Sequence, residues 1–360
     1  MKILILKFRN IGDVLLVEPL ISNLKLNNAN IEIDVAINKG SEDMLTLNHN
    51  IHNIVTYDRA SIKSLSLIQR IFSEINFYLS FRQRKYDVVV NLTEGDRGSY
   101  ISWFSGAKIR IGYKKKGWLS RKAYTYHLPK QMFRHTLEAN LDPLKVLNIP
   151  IVNKKVHIFW SDSDKDIVDI KLNNIKKFVH IHPVSRWLFK CIADQIMAKI
   201  IDFCEMELST KVVITAAPDK VELGKVHNIV KLCKSNPINL SGELSLKQTA
   251  ALNKKAKLFI GVDTAIMHIS AANNTPVLAF FGPSGANHWG PWDNNMTQSS
   301  YTQNNGFQIM GKHRVFSESR KCQPCGKDGC NGTKVSDCLM NLDVDIIKEN
   351  IQEMMGEKNS

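Results

Sequence analysis

Apolar and polar positions along the chain fall into two successive rounds of strand and helix. The first round opens with a short apolar run, Lys2 to Leu6, which predicts a strand. A loop and a helix from about Gly12 to Lys25 follow, then a strand over Ile31 to Ile37 where apolar and polar residues alternate. Ile62, Leu65, Ile68, Phe72, Ile75 and Leu79 recur at helical spacing and predict one long helix, Ser61 to Lys85. Its charges make it amphipathic and basic, the pattern of a helix packed on its domain and, less often, of one lying on a membrane. Further strands are expected at Asp87 to Leu92 and Lys108 to Gly112, and a helix at Phe133 to Leu147 that Asn148-Ile149-Pro150 ends.

The second round restarts at Phe178. Strands are predicted at Phe178 to His182, Lys211 to Thr215, Lys257 to Gly261 and Thr275 to Phe281. Helices are predicted between them at Ile192 to Met206, Lys220 to Cys233, Leu246 to Asn253 and Thr264 to Asn273. Alternating strands and helices imply parallel sheets covered on both faces, so the expected class is α/β with two doubly wound domains. The expected division is 1–150, 151–340, and a tail, 341–360, whose helix at Val344 to Met354 is able to pack back on the first domain.

Length agrees with this division, because 360 residues exceed one ordinary core. With 44% hydrophobic and 23% charged residues, general disorder is excluded. No apolar stretch reaches the ~18 residues of a membrane span, and Met1 to Leu6 is too short for a signal-peptide core, so a cytoplasmic location is expected. The net charge of +14 is concentrated. Lys108, Arg110, Lys114, Lys115, Lys116, Arg121, Lys122, Lys130 and Arg134 fall in one stretch without an acid, interleaved with Tyr113, Trp118, Tyr124 and Tyr126. Such a field draws an anionic glycolipid, an acidic membrane face or nucleic acid, or simply solvates a surface. No helix-turn-helix, zinc-finger or RNP-type signature supports nucleic acid. Cys322, Cys325, Cys330 and Cys338 form a C-x2-C-x4-C-x7-C cluster among glycines, which reads either as a thiolate metal site or as a loop of reduced thiols.

Three constellations follow predicted strands, where ligands bind in open parallel sheets. Lys7-Phe8-Arg9-Asn10-Ile11-Gly12-Asp13 lacks the G-x-G-x-x-G spacing of a dinucleotide site; Asp13 is either a helix-capping residue or a general base. His182-Pro183-Val184-Ser185-Arg186-Trp187-Leu188-Phe189-Lys190 offers Ser185, Arg186 and Lys190 to a diphosphate. Phe259 to His268 places Asp263, Thr264 and His268 where a strand gives way to a helix N-terminus. Phe280-Phe281-Gly282-Pro283-Ser284 adds another glycine-containing loop at that edge.

Together these motifs resemble the ADP-heptose:lipopolysaccharide heptosyltransferases, glycosyltransferase family nine. The residues that carry the resemblance are Gly12-Asp13, H-P-V-S-R-W-L-F-K at 182–190, G-V-D-T-A-I-M-H at 261–268 and the run ending at Trp292. The cysteine cluster is similar to that of the branch adding the third, side-branch heptose, heptosyltransferase III. Ile266 and Asn273-Asn274 depart from the family pattern at packing positions. The resemblance implies a GT-B fold of two Rossmann-like domains, inversion at the transferred carbon, ADP-heptose as donor substrate, no cofactor and no catalytic metal. By it Asp13 is the base, Lys190 meets the donor phosphates, and Ser185, Arg186, Asp263, Thr264 and His268 complete the donor site. Arg9, Lys114, Lys115, Lys116, Arg121 and Lys122 would face an anionic lipopolysaccharide-core acceptor, with peripheral contact at the inner membrane face and none with nucleic acid. A transferase for another nucleotide sugar and a non-catalytic sugar-nucleotide or glycan binder share the same motifs.

Overall fold

The computed structural model describes residues 1–113, 118–129 and 133–356; Lys114, Lys115, Lys116 and Lys130 lie outside them. The chain divides into two compact units, Met1–Phe159 and Trp160–Ser360. The first holds β1 (Lys2–Lys7), β2 (Glu32–Asn38), β3 (Asn53–Tyr57), β4 (Val88–Asn91), β5 (Ile109–Tyr113) and β6 (Tyr126–Leu128). All pair in parallel in the order β3-β2-β1-β4-β5-β6, the doubly wound arrangement. Its order reverses between β1 and β4, and that crevice is where a ligand site is expected.

The helices of this unit are α1 (Ile11–Leu15), α2 (Glu18–Asn27), α3 (Arg59–Ser64), α4 (Leu67–Gln83), α5 (Asp96–Phe104), α6 (Trp118–Ala123), α7 (Thr136–Asn140) and α8 (Asp142–Val146). Three helices expected to be continuous are each broken in two. Pro19 enters the first turn of α2 and Pro143 that of α8, positions where the missing N–H costs nothing but an uninterrupted helix is impossible. Ser66 breaks the third, because its side chain caps α4 in exchange with Gln69. Strand β3 and helix α5 were not expected at all. Residues 151–159 stay with the first unit because α2 pins them. Asn23 Oδ1 accepts the Val152 N–H at 2.6 Å, Asn23 Nδ2 donates to the Asn153 carbonyl at 2.8 Å, and Glu18 accepts the His157 N–H at 3.1 Å.

The second unit holds β7 (Phe178–His182), β8 (Lys211–Ile214), β9 (Ile238–Asn239), β10 (Leu258–Val262), β11 (Val277–Phe280), β12 (Gln308–Met310) and β13 (His313–Phe316). Their order is β12-β13-β11-β10-β7-β8-β9, reversing between β7 and β10. It corrects the parallel expectation at one edge, where β12 folds back antiparallel on β13 through a turn at Gly311. Its helices are α9 (Asp162–Leu172), α10 (Asp194–Asp202), α11 (Lys220–Leu232), α12 (Leu246–Lys255), α13 (Ala265–Ala272), α14 (Ala286–Trp289) and α15 (Val344–Met355).

Successive strand residues serve opposite faces. Val179 and Ile181 of β7, with Val212 and Ile214 of β8, enter one core; Phe178 and Val213 enter the other, under α9 and α12. A sheet covered on both faces therefore reads as unbroken apolar runs. Helix α15, which the sequence left free to cross the domain junction, buries Ile347 and Ile351 in this unit's own core beside α10. Truncating Ile351 to Ala should lower stability by about 2–5 kcal/mol. The same change at exposed Ile346 should stay within about 0.5 kcal/mol. Denaturant titration of the full chain compares the two, and equal effects would contradict this packing.

Candidate active site

Each unit presents chemistry at the crevice where its strand order reverses. In the first unit the chain leaves β1 at Lys7 and turns into α1, whose third residue is Asp13. The Asp13 Oδ2 accepts the Asn10 N–H at 3.1 Å, so the capping role exists. A carboxylate that accepts such a bond is also a group able to take a proton. Beside it lies Lys7, which the motif includes but to which the sequence assigned no role. The Lys7 side chain is buried, and its Nζ donates to Asn140 Oδ1 at 3.1 Å and to the Leu92 carbonyl at 3.4 Å. Burial pulls its pKa down to about 8, while the Asp13 carboxylate opposes that pull. A lysine closing an apolar strand is the signal that was available for it.

The proposed acceptor cations divide. Arg9 is exposed and sits 3.9 Å from Glu94, in the loop after β4. Arg121 and Lys122 are exposed at the end of α6. Two other members of the basic stretch serve structure. Arg110 donates to the Ala107 and Ala123 carbonyls at 2.6 and 2.9 Å, and Arg134 forms two bonds to Asp142 at 2.9 and 3.1 Å. Tyr124 is equally internal: its hydroxyl meets Asn91 Nδ2 at 2.6 Å and Ser99 Oγ at 2.9 Å, so it is no platform for a saccharide. Tyr126 remains exposed.

In the second unit three loops converge on one carboxylate. Lys190 follows β7, Asp263 follows β10 and Ser284 follows β11. Lys190 Nζ and Ser284 Oγ each donate to Asp263 Oδ2 at 2.6 Å. Burial alone would raise the Asp263 pKa, but Lys190, Ser284 and the charge of His268 together hold it below the ordinary carboxylate range. Ser284 was named only as part of a loop at this edge, and geometry adds it to the site. Close backbone approach requires the glycines here. A Cβ at Gly261 would lie 2.8 Å from the His182 carbonyl oxygen, and one at Gly282 would lie 2.6 Å from Leu339.

Thr264 is at the N-cap position of α13, and its hydroxyl oxygen is buried without a hydrogen-bond partner among the described residues, a cost that a bound ligand would remove. His268 lies one turn into α13 and is buried. Ser185 is buried and accepts the Trp187 N–H at 3.2 Å, which shapes the loop leading to Lys190. Arg186 turns outward, its guanidinium 4.7 Å from the Trp187 ring centroid.

Below this edge runs a buried polar chain. Asn253 Nδ2 donates to His180 Nδ1 at 3.0 Å, His180 Nε2 meets Thr215 Oγ1 at 2.8 Å, and Thr215 Oγ1 meets His182 Nδ1 at 2.9 Å. The directions assign tautomers. His180 must carry its proton on Nε2, the Thr215 hydroxyl donates a hydrogen bond to His182 Nδ1, and His182 is protonated on Nε2. Burial lowers the His182 pKa to about 4 and the His180 pKa well below its ordinary value.

Two further groups bear on metals. Glu32, Asp34 and His52 gather at the opposite end of the first sheet, where Lys2 lies 2.7 Å from Glu32 and Tyr86 donates to Asp34 at 2.6 Å. Of the four clustered cysteines, Cys338 is buried and its thiol is pushed up to about 11, by burial first. No three of these sulfurs gather within 4.8 Å of one another among the described residues. The loop instead supports the active edge: Gln323 Nε2 donates to the Gly282 carbonyl at 3.1 Å, and the Gly326 N–H donates to that of Pro283 at 2.9 Å.

Residues 76–315 match the profile of glycosyltransferase family 9 (heptosyltransferase). The chain belongs to this family. The matched span contains Lys190, Asp263 and Ser284, whereas Asp13 precedes it. Lipopolysaccharide heptosyltransferase 3 of Escherichia coli is 31% identical over 294 residues, which are 80% of this chain and 85% of that protein. The fold agrees with solved structures in the family. One from Veillonella parvula DSM 2008 has a TM-score of 0.78 and 18% identity, covering 99% of this chain and 97% of that one. ADP-heptose lps heptosyltransferase II of E. coli has a TM-score of 0.73 and 15% identity, covering 99% of each chain. The expected GT-B architecture of two Rossmann-like domains is thus the observed one.

The buried histidines of this family 9 chain predict an acid-side loss of stability. Their folded pKa values are depressed, so the native state stays neutral while the unfolded chain takes up protons below about 6.5. Stability is therefore fully present above that pH and falls from there towards about 4 for His182. Each histidine contributes a slope of at most ~1.4 kcal/mol per pH unit. Thermal melts across this window should show the fall, and His182→Asn should flatten it. An unchanged slope in the variant would count against the neutral pair.

Proposed function

We propose that the chain is an inverting heptosyltransferase that moves heptose from ADP-heptose to the inner core of lipopolysaccharide, as the side-branch third heptose. The relative named lipopolysaccharide heptosyltransferase 3 supports the reaction and the branch. The observation that carries the chemistry is Lys190, held on Asp263 at the crevice of the second sheet.

Transfer needs a base at the attacking hydroxyl and a cation at the leaving diphosphate. Asp13 takes the acceptor hydroxyl proton as that oxygen attacks the anomeric carbon. The bond from that carbon to the β-phosphate oxygen breaks on the opposite face, which inverts the centre. ADP leaves with the electron pair. An ammonium has three N–H donors, and Lys190 spends one on Asp263. Its side chain keeps 23% exposure, so the remaining donors are reachable by a phosphate. The α13 N-terminus and the Thr264 hydroxyl add partial positive charge beside it. Arg186, Ser185 and His268 complete the donor side in this reading, and no cofactor enters it. Arg9, Arg121 and Lys122 receive the anionic acceptor, together with Lys114, Lys115 and Lys116. The working location is cytoplasmic, at the inner membrane face. No helix among the described residues is long and apolar enough to cross a membrane.

Diphosphate release from a panel of nucleotide sugars, with a core-lipopolysaccharide acceptor, tests the donor; release from a donor other than ADP-heptose would overturn the assignment. Asp13→Asn should cost roughly 10²–10⁴ in transfer rate and leave donor affinity within a few-fold. Full activity in the folded variant would remove Asp13 from the mechanism. Transfer should also persist in EDTA, because protein cations supply the charge at the diphosphate. Activity that vanishes with chelation and returns with magnesium would refute that arrangement.

A further inference from the structure

Helix α4 has two apolar faces, and the unit buries only one. Phe77 and Phe81 turn inward, their rings 5.1 Å apart, and join the core under β1 and β4. Leu67, Ile68, Ile71, Phe72, Ile75 and Leu79 stay exposed, with Leu67 at 73%, Ile68 at 69% and Phe72 at 62%. Their spacing of three and four residues puts them on one side of the helix. Trp103 and Tyr100 of α5, which packs against α4, are also exposed. Isolated exposed apolar residues need no explanation, but a continuous row of this size marks an interaction surface.

The surrounding charge identifies the partner. Between Arg59 and Lys85 there are six basic residues and one acid, Glu74. Glu74 is turned inward, accepting from the Tyr57 hydroxyl and lying 3.6 Å from Arg97. Arg84 is partly buried against Asp34. Arg59, Lys63, Arg70, Arg82 and Lys85 are left exposed around the apolar row. A second copy docked through the same face would bring these like charges together, because a two-fold interface sets a patch against itself. An anionic lipid surface accepts both parts at once. Apolar side chains enter the acyl boundary, arginines and lysines meet the headgroups, and Trp and Tyr favour the interfacial zone.

We propose that the exposed face of α4, with Trp103 and Tyr100 of α5, is a docking surface for an anionic lipid bilayer. This assignment rests on exposure and charge, and it stands whether or not the transfer reaction is as proposed above. None of its residues belongs to the basic stretch at 108–134.

The test is co-flotation of the full chain with phosphatidylcholine vesicles, with and without phosphatidylglycerol. The wild type should float with the anionic vesicles, weakly with neutral ones, and less at high salt. Combined Ile68→Ser, Ile71→Ser and Phe72→Ser should reduce flotation about tenfold or more. Separately, Lys63→Glu with Arg70→Glu should remove the preference for anionic vesicles. The variants should keep wild-type circular dichroism and wild-type transfer to a detergent-dispersed acceptor, which separates loss of docking from loss of catalysis. Flotation unchanged in the folded serine variant would overturn the proposal. A concentration-dependent wild-type dimer that the serine variant dissociates, without effect on vesicles, would assign the face to a second copy instead.

Discussion

The second unit's candidate edge depends on the ion pair between a partly exposed Lys190 and the buried Asp263. A carboxylate taken out of water costs several kcal/mol unless a cation and hydrogen bonds meet it, and Asp263 has both on one oxygen. Its two partners come from the loops after β7 and β11 and Asp263 itself from the loop after β10, so satisfying one charge fixes three loops relative to each other. Gly261 and Gly282 permit the approach by leaving no Cβ between strand, loop and core. The cysteine-bearing loop then holds Gly282 and Pro283 from outside through their carbonyls. The geometry of the edge is therefore set by polar satisfaction more than by apolar packing.

That edge stands on a second polar device. Asn253, His180, Thr215 and His182 link α12, β7 and β8 in one directional chain, and Asn253 also donates to Ser270 of α13 at 2.6 Å. A wholly apolar core would tolerate small slips of a helix over a sheet. A directional chain does not, because each slip leaves a buried donor or acceptor unmet. The chain thus fixes α13, and with it Thr264 and His268, against the strand that ends at His182. Its members are neutral, so it gives precision near neutral pH and loses it in acid.

Much of this was legible in the residues. The strands carry apolar runs because both faces are covered, and the motifs after β1, β7 and β10 sit where parallel sheets place ligands. Helix continuity was misread because periodicity persists across Pro19, Ser66 and Pro143, while the backbone cannot. The role of Ser284 was invisible because a serine in a glycine loop looks like a turn residue until its partner across 21 positions is known. Lys7 was hidden by the opposite cause: one cation at the end of an apolar strand looks like its surface end. Tyr124 and Arg134 looked like ligand-facing groups because composition cannot tell a solvated charge from one already paired. The amphipathic pattern of α4 pointed first to a helix packed on its domain, for a similar reason. Apolar periodicity announces a buried face, and only the fold shows that Phe77, Tyr78 and Phe81 supply that burial while Leu67, Ile68 and Phe72 stay exposed.

In the proposed reaction Lys190 would serve both stability and chemistry. Its bond to Asp263 is strong enough to order the loop, yet its side chain stays partly exposed. A fully buried lysine would have to break its pair to reach a phosphate, and a fully exposed one would wander among rotamers. Held at one point, a partly exposed ammonium with two N–H donors to spare would need little further ordering to meet the diphosphate of the proposed reaction. Removing Asp263 would leave the cation present but unplaced, which separates the two contributions that a single lysine otherwise combines.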